Sequence, residues 1–178
     1  FPPHRSERLS LATFTQSPNL NEHFRASVML FTDNTGAELL DALTRAGAKR
    51  VPEIGSALAQ QHNETVRNMV RSYEIRMVRD RFSSDGLGLF YATVNSPRVG
   101  NFDLLFDPRE RDSVLVGQLA YRDSRAYFDT WTSFVSRAVR NGRRKAPLPD
   151  VSVQDVRIEA TIDPSLAMKA RTRFRFTA

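Results

Sequence analysis

Three histidines are candidates for a general base or a metal ligand, whereas the absence of cysteine removes thiolate nucleophiles and cysteine-based metal sites. His4 lies in a proline-containing N-terminal segment, His23 in a polar loop, and His62 in a helix-period segment without a ligand partner one turn away. A catalytic base or a zinc site requires a positioned partner. The spacing therefore predicts surface or helix-flank histidines, with no catalytic residue, metal ligand or cofactor-binding residue among them.

Four acidic residues cluster around one predicted turn, in the order Asp103, Asp107, Glu110 and Asp112. A calcium loop would need alternating oxygen ligands with a central glycine and a terminal glutamate, which this stretch lacks. Arg109 and Arg111 stand between the acids. We therefore predict a solvated turn of mixed charge.

The excess positive charge lies near the C-terminus. Residues 1–136 contain sixteen Lys or Arg and sixteen Asp or Glu, whereas residues 137–178 contain ten and four, which accounts for the net charge of +6. A basic stretch next to aromatic residues is typical of nucleic-acid binding. On an alternating strand, however, Phe174 and Phe176 would point away from the arginines beside them. Nucleic-acid binding is therefore the alternative function, and the residues predicted for interaction are Trp131, Arg143, Arg144 and Lys145.

The elements that would position these residues are clearest between Leu87 and Tyr121. Three short runs rich in Phe, Tyr, Val, Leu and Thr are separated by clusters of Pro, Gly, Asn and Asp. Such runs are typical of strands, and such clusters are typical of turns. The stretch predicts a three-stranded antiparallel meander at the centre of a sheet.

Helical spacing of apolar residues predicts a short helix over 37–46 and a long amphipathic helix over 54–82. A helix that changes to a strand near Ser72 is an alternative for the second. Residues 26–31 predict a strand, residues 9–14 a weaker one, and residues 1–8 a tail. Periodicity and residue type disagree over 127–139, where we favour a strand that leads into a short helix.

A break in regular structure is expected at residues 141–150, which contain Gly142, Pro147 and Pro149. Residues 151–178 then alternate between apolar and polar side chains around Asp163-Pro164-Ser165, which predicts a β-hairpin. The predicted fold is α+β: an accessory domain over 9–140 with one short and one long helix, a proline-rich linker, and a hairpin that begins a β-sandwich. We expect the chain to be part of a longer polypeptide.

The segment VQDVRIEATIDPSLAMKARTRFRFTA resembles the first hairpin of the N-terminal β-sandwich in aminopeptidase N-like (gluzincin) metallopeptidases. The stretches GLFYATVNSPRVGNFDLLFDPRERDSVLVGQ and DTWTSF are similar to the accessory region that precedes this sandwich in secreted bacterial members. Val156 stands where the family usually has an aromatic residue, and Ala170 where it commonly has glycine. The family's H-E-x-x-H and G-x-M-E-N motifs do not occur in this sequence, so no catalytic or zinc-binding residue is carried over.

The resemblance implies a non-catalytic accessory domain of a larger periplasmic or extracellular peptidase-like protein, although the residues alone leave a cytoplasmic location open. Its partners would be the remainder of its own polypeptide, or a protein or peptide. Nucleic acid is the less favoured partner. No cofactor is expected, and no apolar run in the sequence reaches the roughly 18 residues that a membrane span needs.

Overall fold

A computed structural model describes residues 1–48, 52–68, 73–147 and 151–177. These residues form two compact units, Phe1–Ala146 and Pro147–Ala178, which are considered separately. The fold is α+β, with helices, a five-stranded antiparallel sheet and a two-stranded sheet. In the described ranges, no helix combines the length and the apolar character needed to cross a membrane.

The first unit is built on a sheet whose five strands follow the chain order. They are β1 (Ala26–Phe31), β2 (Phe90–Ser96), β3 (Gly100–Phe106), β4 (Val114–Arg122) and β5 (Arg125–Phe134), each antiparallel to the next. The predicted meander is confirmed as β2, β3 and β4. Asp123 and Ser124 join β4 to β5 with positive φ angles of 49° and 60°. Two left-handed residues form the tight turn that matches the twist of a hairpin.

In the part of the chain that the structure describes, five helices accompany this sheet: α1 (Arg5–Thr15), α2 (Thr35–Arg45), α3 (Pro52–Asn68), α4 (Tyr73–Phe82) and α5 (Arg137–Arg140). The predicted short helix is confirmed as α2. The predicted long helix is helical over α3 and α4, and residues 69–72 lie outside the described residues. The alternative of a strand after Ser72 is wrong, because Tyr73–Phe82 are helical. Tyr73, Arg76 and Asp80 of α4 are buried at helical spacing, because that face lies against the sheet. The interpretation of 127–139 as a strand followed by a short helix is confirmed by β5 and α5.

The N-terminal segment differs from the prediction. Residues 1–8 are not a tail and residues 9–14 are not a strand, because α1 covers Arg5–Thr15. Leu11 and Thr15 are buried four residues apart on one helix face, and the Ser10 hydroxyl donates to the Trp131 carbonyl oxygen at 2.7 Å. Packing against β5 stabilises this helix, because a helix of 11 residues is marginal in isolation.

Each face of the five-stranded sheet carries its own apolar core. On one face, Tyr73 of α4 packs with residues of β2, β3, β4 and β5, namely Tyr91, Leu105, Leu115 and Phe128, together with Leu89. On the other face, Leu11 of α1 packs with Ala92, Val94, Phe102, Val116, Trp131 and Phe134. The sheet is therefore covered by helices on both sides.

The second unit is the predicted hairpin, with β6 (Ser152–Ile162) paired antiparallel to β7 (Met168–Thr177). Its turn is held by Asp163, whose Oδ1 accepts bonds from the amides of Ser165 (2.9 Å) and Ala167 (3.0 Å). The division between the units, at 146/147, falls within the segment predicted as a linker. The first part of that segment is not extended, because the amides of Arg143 and Arg144 both bond to the Ala138 carbonyl oxygen of α5.

Candidate functional site

Trp131 is a core residue, in contrast to its predicted role as an interaction anchor. Its side chain is only 2% exposed, and its ring stacks on Phe102 with a centroid distance of 5.7 Å. Alternation along β5 directs Trp131 towards α1, which covers it. The prediction that Trp131 is an interaction residue is therefore contradicted by its burial.

The basic residues predicted with it lie on the surface after α5. Arg143 and Lys145 are exposed, and Arg144 is half-buried. Because Trp131 is buried while these cations face solvent, the structure does not combine the four predicted residues into one exposed surface. Arg143, Arg144 and Lys145 therefore form a basic segment to which Trp131 contributes no exposed ring.

Of the three histidines, His62 lies on the sheet-facing side of α3. Its ring centroid is 4.9 Å from that of Tyr91 and 6.1 Å from that of Tyr73, and burial lowers its pKa. His4 begins α1, where its amide donates to the Glu7 carboxylate at 2.9 Å, and His23 is exposed. No three His, Asp or Glu side chains meet in a metal-binding arrangement within the described residues.

Asp103 is a buried carboxyl group in the core of the first unit. It is 2% exposed, and its Oδ1 accepts bonds from the hydroxyls of Tyr91 (2.6 Å) and Thr93 (2.7 Å). Burial raises its pKa from 3.8 to about 6, although the two hydroxyl bonds act in the opposite direction. Burial also raises the pKa values of Tyr73 and Tyr91. The hydroxyl donors allow this carboxyl group to occupy the core.

The acidic turn after β3 is likewise not solvated, so that prediction is wrong. Asp107 is 1% exposed, and its Oδ2 accepts a bond from Nε of the buried Arg76 at 2.6 Å. Arg79 approaches the same oxygen at 3.6 Å, and Arg76 also lies 3.7 Å from Glu110. These ion pairs join α4 to the β3–β4 turn, which explains why the turn carries both signs of charge.

A second ion-pair group continues from this turn. Arg109 pairs with Asp80 of α4 and with Asp85, and Asp80 also accepts bonds from the Thr32 hydroxyl and, at 3.1 Å, from the Leu89 amide. Burial alone would raise the pKa of Asp80, but its bonds to Thr32 and Arg109 hold it below the ordinary value. Because these carboxylates bond to donors of other elements, the two groups are structural clamps.

Two apolar clefts lie beside β1. The first, of about 480 Å³, lies between the end of β1 and α4, where Phe82 is 86% exposed. The second, of about 220 Å³, includes Met29, which is 43% exposed, and Phe24. The apolar residues of the first are Leu30, Phe31, Met77, Val78 and Phe82, and those of the second are Leu20, Phe24, Met29, Phe90, Ala92, Val94, Phe102 and Leu104. Neither cleft is predictable from the sequence, because each combines residues from distant segments.

The hairpin presents an apolar surface of its own. Its large apolar side chains that are between 57% and 65% exposed include Ile158, Ile162, Met168, Phe174 and Phe176. In the pairing register, Ala160 lies opposite Ala170 and Ile162 opposite Met168, so that apolar residues meet across the two strands. Alternation puts Arg157, Arg171 and Arg173 on the other face.

Comparison with known proteins gives no match for this chain among family models, curated proteins or solved structures.

Proposed function

We propose that this chain is a non-catalytic interaction module of a larger peptidase-like protein, and that the apolar face of its hairpin packs against an apolar sheet surface elsewhere in that protein. The observation that carries the proposal is the exposed apolar face of β6 and β7. The clamped carboxylates and the isolated His62 are in keeping with a module that positions other groups and performs no chemistry itself.

The energetic argument concerns the hairpin. A two-stranded sheet alone is marginally stable in water, and three or more strands or a covering element are needed for independent stability. Burial of a large apolar side chain contributes about 1.5–3 kcal/mol. Five such side chains point to one side of this hairpin. Covering that face with a second apolar layer would therefore stabilise the hairpin substantially.

The nature of the covering surface follows from the two faces of the hairpin. One face is apolar and the other carries charges, including Arg157, whose guanidinium lies 2.9 Å from Glu159. A hairpin with one apolar and one charged face is typical of the outer layer of a sandwich. The resemblance to the opening hairpin of an aminopeptidase N-like β-sandwich supports the same arrangement, with a peptidase-like polypeptide supplying the inner layer.

Photo-crosslinking on the full chain tests this proposal. We expect p-benzoylphenylalanine in place of Phe176 to give a discrete adduct in the producing cells, with the attached peptides identified by mass spectrometry as an apolar strand of a peptidase-like polypeptide. The same probe in place of the adjacent Arg175 is the matched control, because it lies on the charged face. Equal adduct yields from the two positions, or attachment only to unrelated proteins, would refute the proposal.

The alternative of nucleic-acid binding has one structural observation in its favour. Arg157 and Arg173 lie directly opposite each other across the hairpin, and like charges in this position repel. A polyanion would relieve this repulsion. Titration with a generic DNA duplex in low salt tests the alternative, because phosphate contacts are strongest there. Absence of binding at low salt would eliminate it.

A further inference from the structure

A second candidate binding site lies at the outer edge of β1, and its argument uses no residue of the hairpin. β1 is the first strand of the sheet, and no strand pairs with its outer edge in the described part of the chain. The Thr32 amide donates to the Leu89 carbonyl oxygen of the neighbouring segment at 3.1 Å. Antiparallel pairs alternate between bonded and non-bonded positions. The backbone groups of Val28 and Leu30 therefore face β2, and those of Ser27, Met29 and Phe31 point away from the sheet.

The two apolar clefts lie on opposite faces of the sheet: the first joins the end of β1 to α4 and is also lined by Thr32, Asp33, Asn34 and Arg81, and the second extends from Met29 over β2 and β3. Leu30 lies in the cleft of about 480 Å³ and packs towards the Tyr73 core, whereas Met29 lies in the cleft of about 220 Å³ on the α1 side. Side chains of an added strand alternate between the two faces of a sheet. A strand placed beside β1 would therefore direct successive side chains alternately to the two faces of the sheet that carry these clefts.

Charges at the two ends of β1 specify the direction of such a strand. Arg25 is exposed immediately before β1, and Asp33 is exposed two residues after it. An antiparallel strand would begin near Asp33 and end near Arg25. A basic residue at its N-terminal end and an acidic residue at its C-terminal end would then each meet the opposite charge.

We propose that the outer edge of β1 binds an extended peptide segment in antiparallel orientation, with consecutive apolar residues flanked by a basic N-terminal and an acidic C-terminal residue. Main-chain hydrogen bonds to Ser27, Met29 and Phe31 provide the pairing, and the clefts select apolar side chains. The six residues of β1 span about 20 Å, which fits a segment of about six residues.

The probe for this site is the fluorescein-labelled peptide Lys-Thr-Val-Leu-Val-Leu-Thr-Glu, titrated into the full chain by fluorescence anisotropy. We expect saturable binding, and at least tenfold weaker binding of the peptide with its terminal charges exchanged. A version with N-methyl groups on the amides that face β1 should also bind at least tenfold more weakly. If the charge-exchanged peptide or the N-methylated peptide binds as well as the original, the proposed orientation or the strand pairing is refuted.

Two variants at one position test the location. Met29→Pro removes an amide that points away from β2, so the sheet should remain intact while peptide binding falls at least tenfold. Met29→Val retains the amide and should change binding less than threefold. Hydrogen exchange on the unmodified chain should show protection of the amides of Ser27, Met29 and Phe31 when the peptide is added. Unchanged exchange at these amides would overturn the proposal even if Met29→Pro failed to fold. Because the hairpin is not involved, the crosslinking result at Phe176 is independent of this outcome.

Discussion

Replacement of Asp103 by asparagine should change the stability of the first unit in a pH-dependent manner. Asp103 is buried between β2 and β4, and its pKa in the folded chain is raised from 3.8 to about 6. The folded state therefore holds the proton more tightly than the unfolded state. The favourable contribution is complete below pH 3.8 and is lost as the pH rises through 6.

The magnitude follows from the size of the shift. Each pKa unit corresponds to 1.36 kcal/mol, so the ionised carboxylate costs about 3 kcal/mol at pH 7 relative to low pH. Asparagine at position 103 keeps an oxygen that can accept from Tyr91 and Thr93 but does not ionise. The free energy of unfolding of Asp103→Asn minus that of the unmodified chain should therefore increase by about 3 kcal/mol between pH 3.5 and pH 7.

Urea unfolding, monitored by the fluorescence of the single tryptophan, provides the measurement, because Trp131 lies in the core of the same unit. Because the unfolding free energies of the two chains are subtracted at the same pH, contributions from other titrating groups cancel. One such group is Asp80, whose lowered pKa makes stability rise with pH, opposite to the effect of Asp103. Asp123→Asn is the control, because Asp123 is exposed and has a left-handed backbone that asparagine also adopts. A difference that stays constant with pH, or decreases as the pH rises, would refute the assignment of Asp103 as a buried carboxyl that titrates near pH 6.

Three further substitutions test packing and charge in the same assay. Gly117→Ala should lower the free energy of unfolding by about 1–3 kcal/mol, because the added Cβ would lie 2.5 Å from the Asp129 carbonyl oxygen. The control is Gly55→Ala on α3, where the added Cβ would meet no neighbouring atom, and this change should be neutral or stabilising. Asp107→Ala should cost about 3–5 kcal/mol because it removes the carboxylate that pairs with the buried Arg76 at 2.6 Å and leaves Glu110 at 3.7 Å, and a loss below 1 kcal/mol would contradict the ion-pair clamp. Leu11→Ala should cost about 2–5 kcal/mol; a negligible change would show that α1 does not cover the sheet.

Most strands were predictable from the sequence because their signal is local. The runs over 90–96, 100–106 and 114–122 alternate in hydrophobicity and are bounded by turn residues, as are the two strands of the hairpin. The helix α2 was equally clear. In contrast, α1 was missed because its segment has weak helical periodicity and depends on packing against β5. Local pattern alone did not reveal that contact.

The candidate sites were less predictable than the strands. Asp103, Asp107 and Arg109 appeared to form one charged turn, yet two of these side chains are buried, each with different partners. The partners of Asp107 come from α4, about thirty residues earlier in the chain. Trp131 is predicted as an interaction residue from its type, although a Trp among core-type aromatic residues is more often buried, and the position of α1 decides for the core.

By itself, the sequence determined the α+β class, the central meander, the amphipathic hairpin and the position of the excess positive charge. These properties depend on side chains that are neighbours along the chain. Tertiary structure alone decided which charges are buried, which core each aromatic residue joins, and that β1 is an edge strand with an apolar cleft on either side. The physical reason is that burial, pKa and edge exposure depend on the elements that surround a residue, and those elements come from distant parts of the chain.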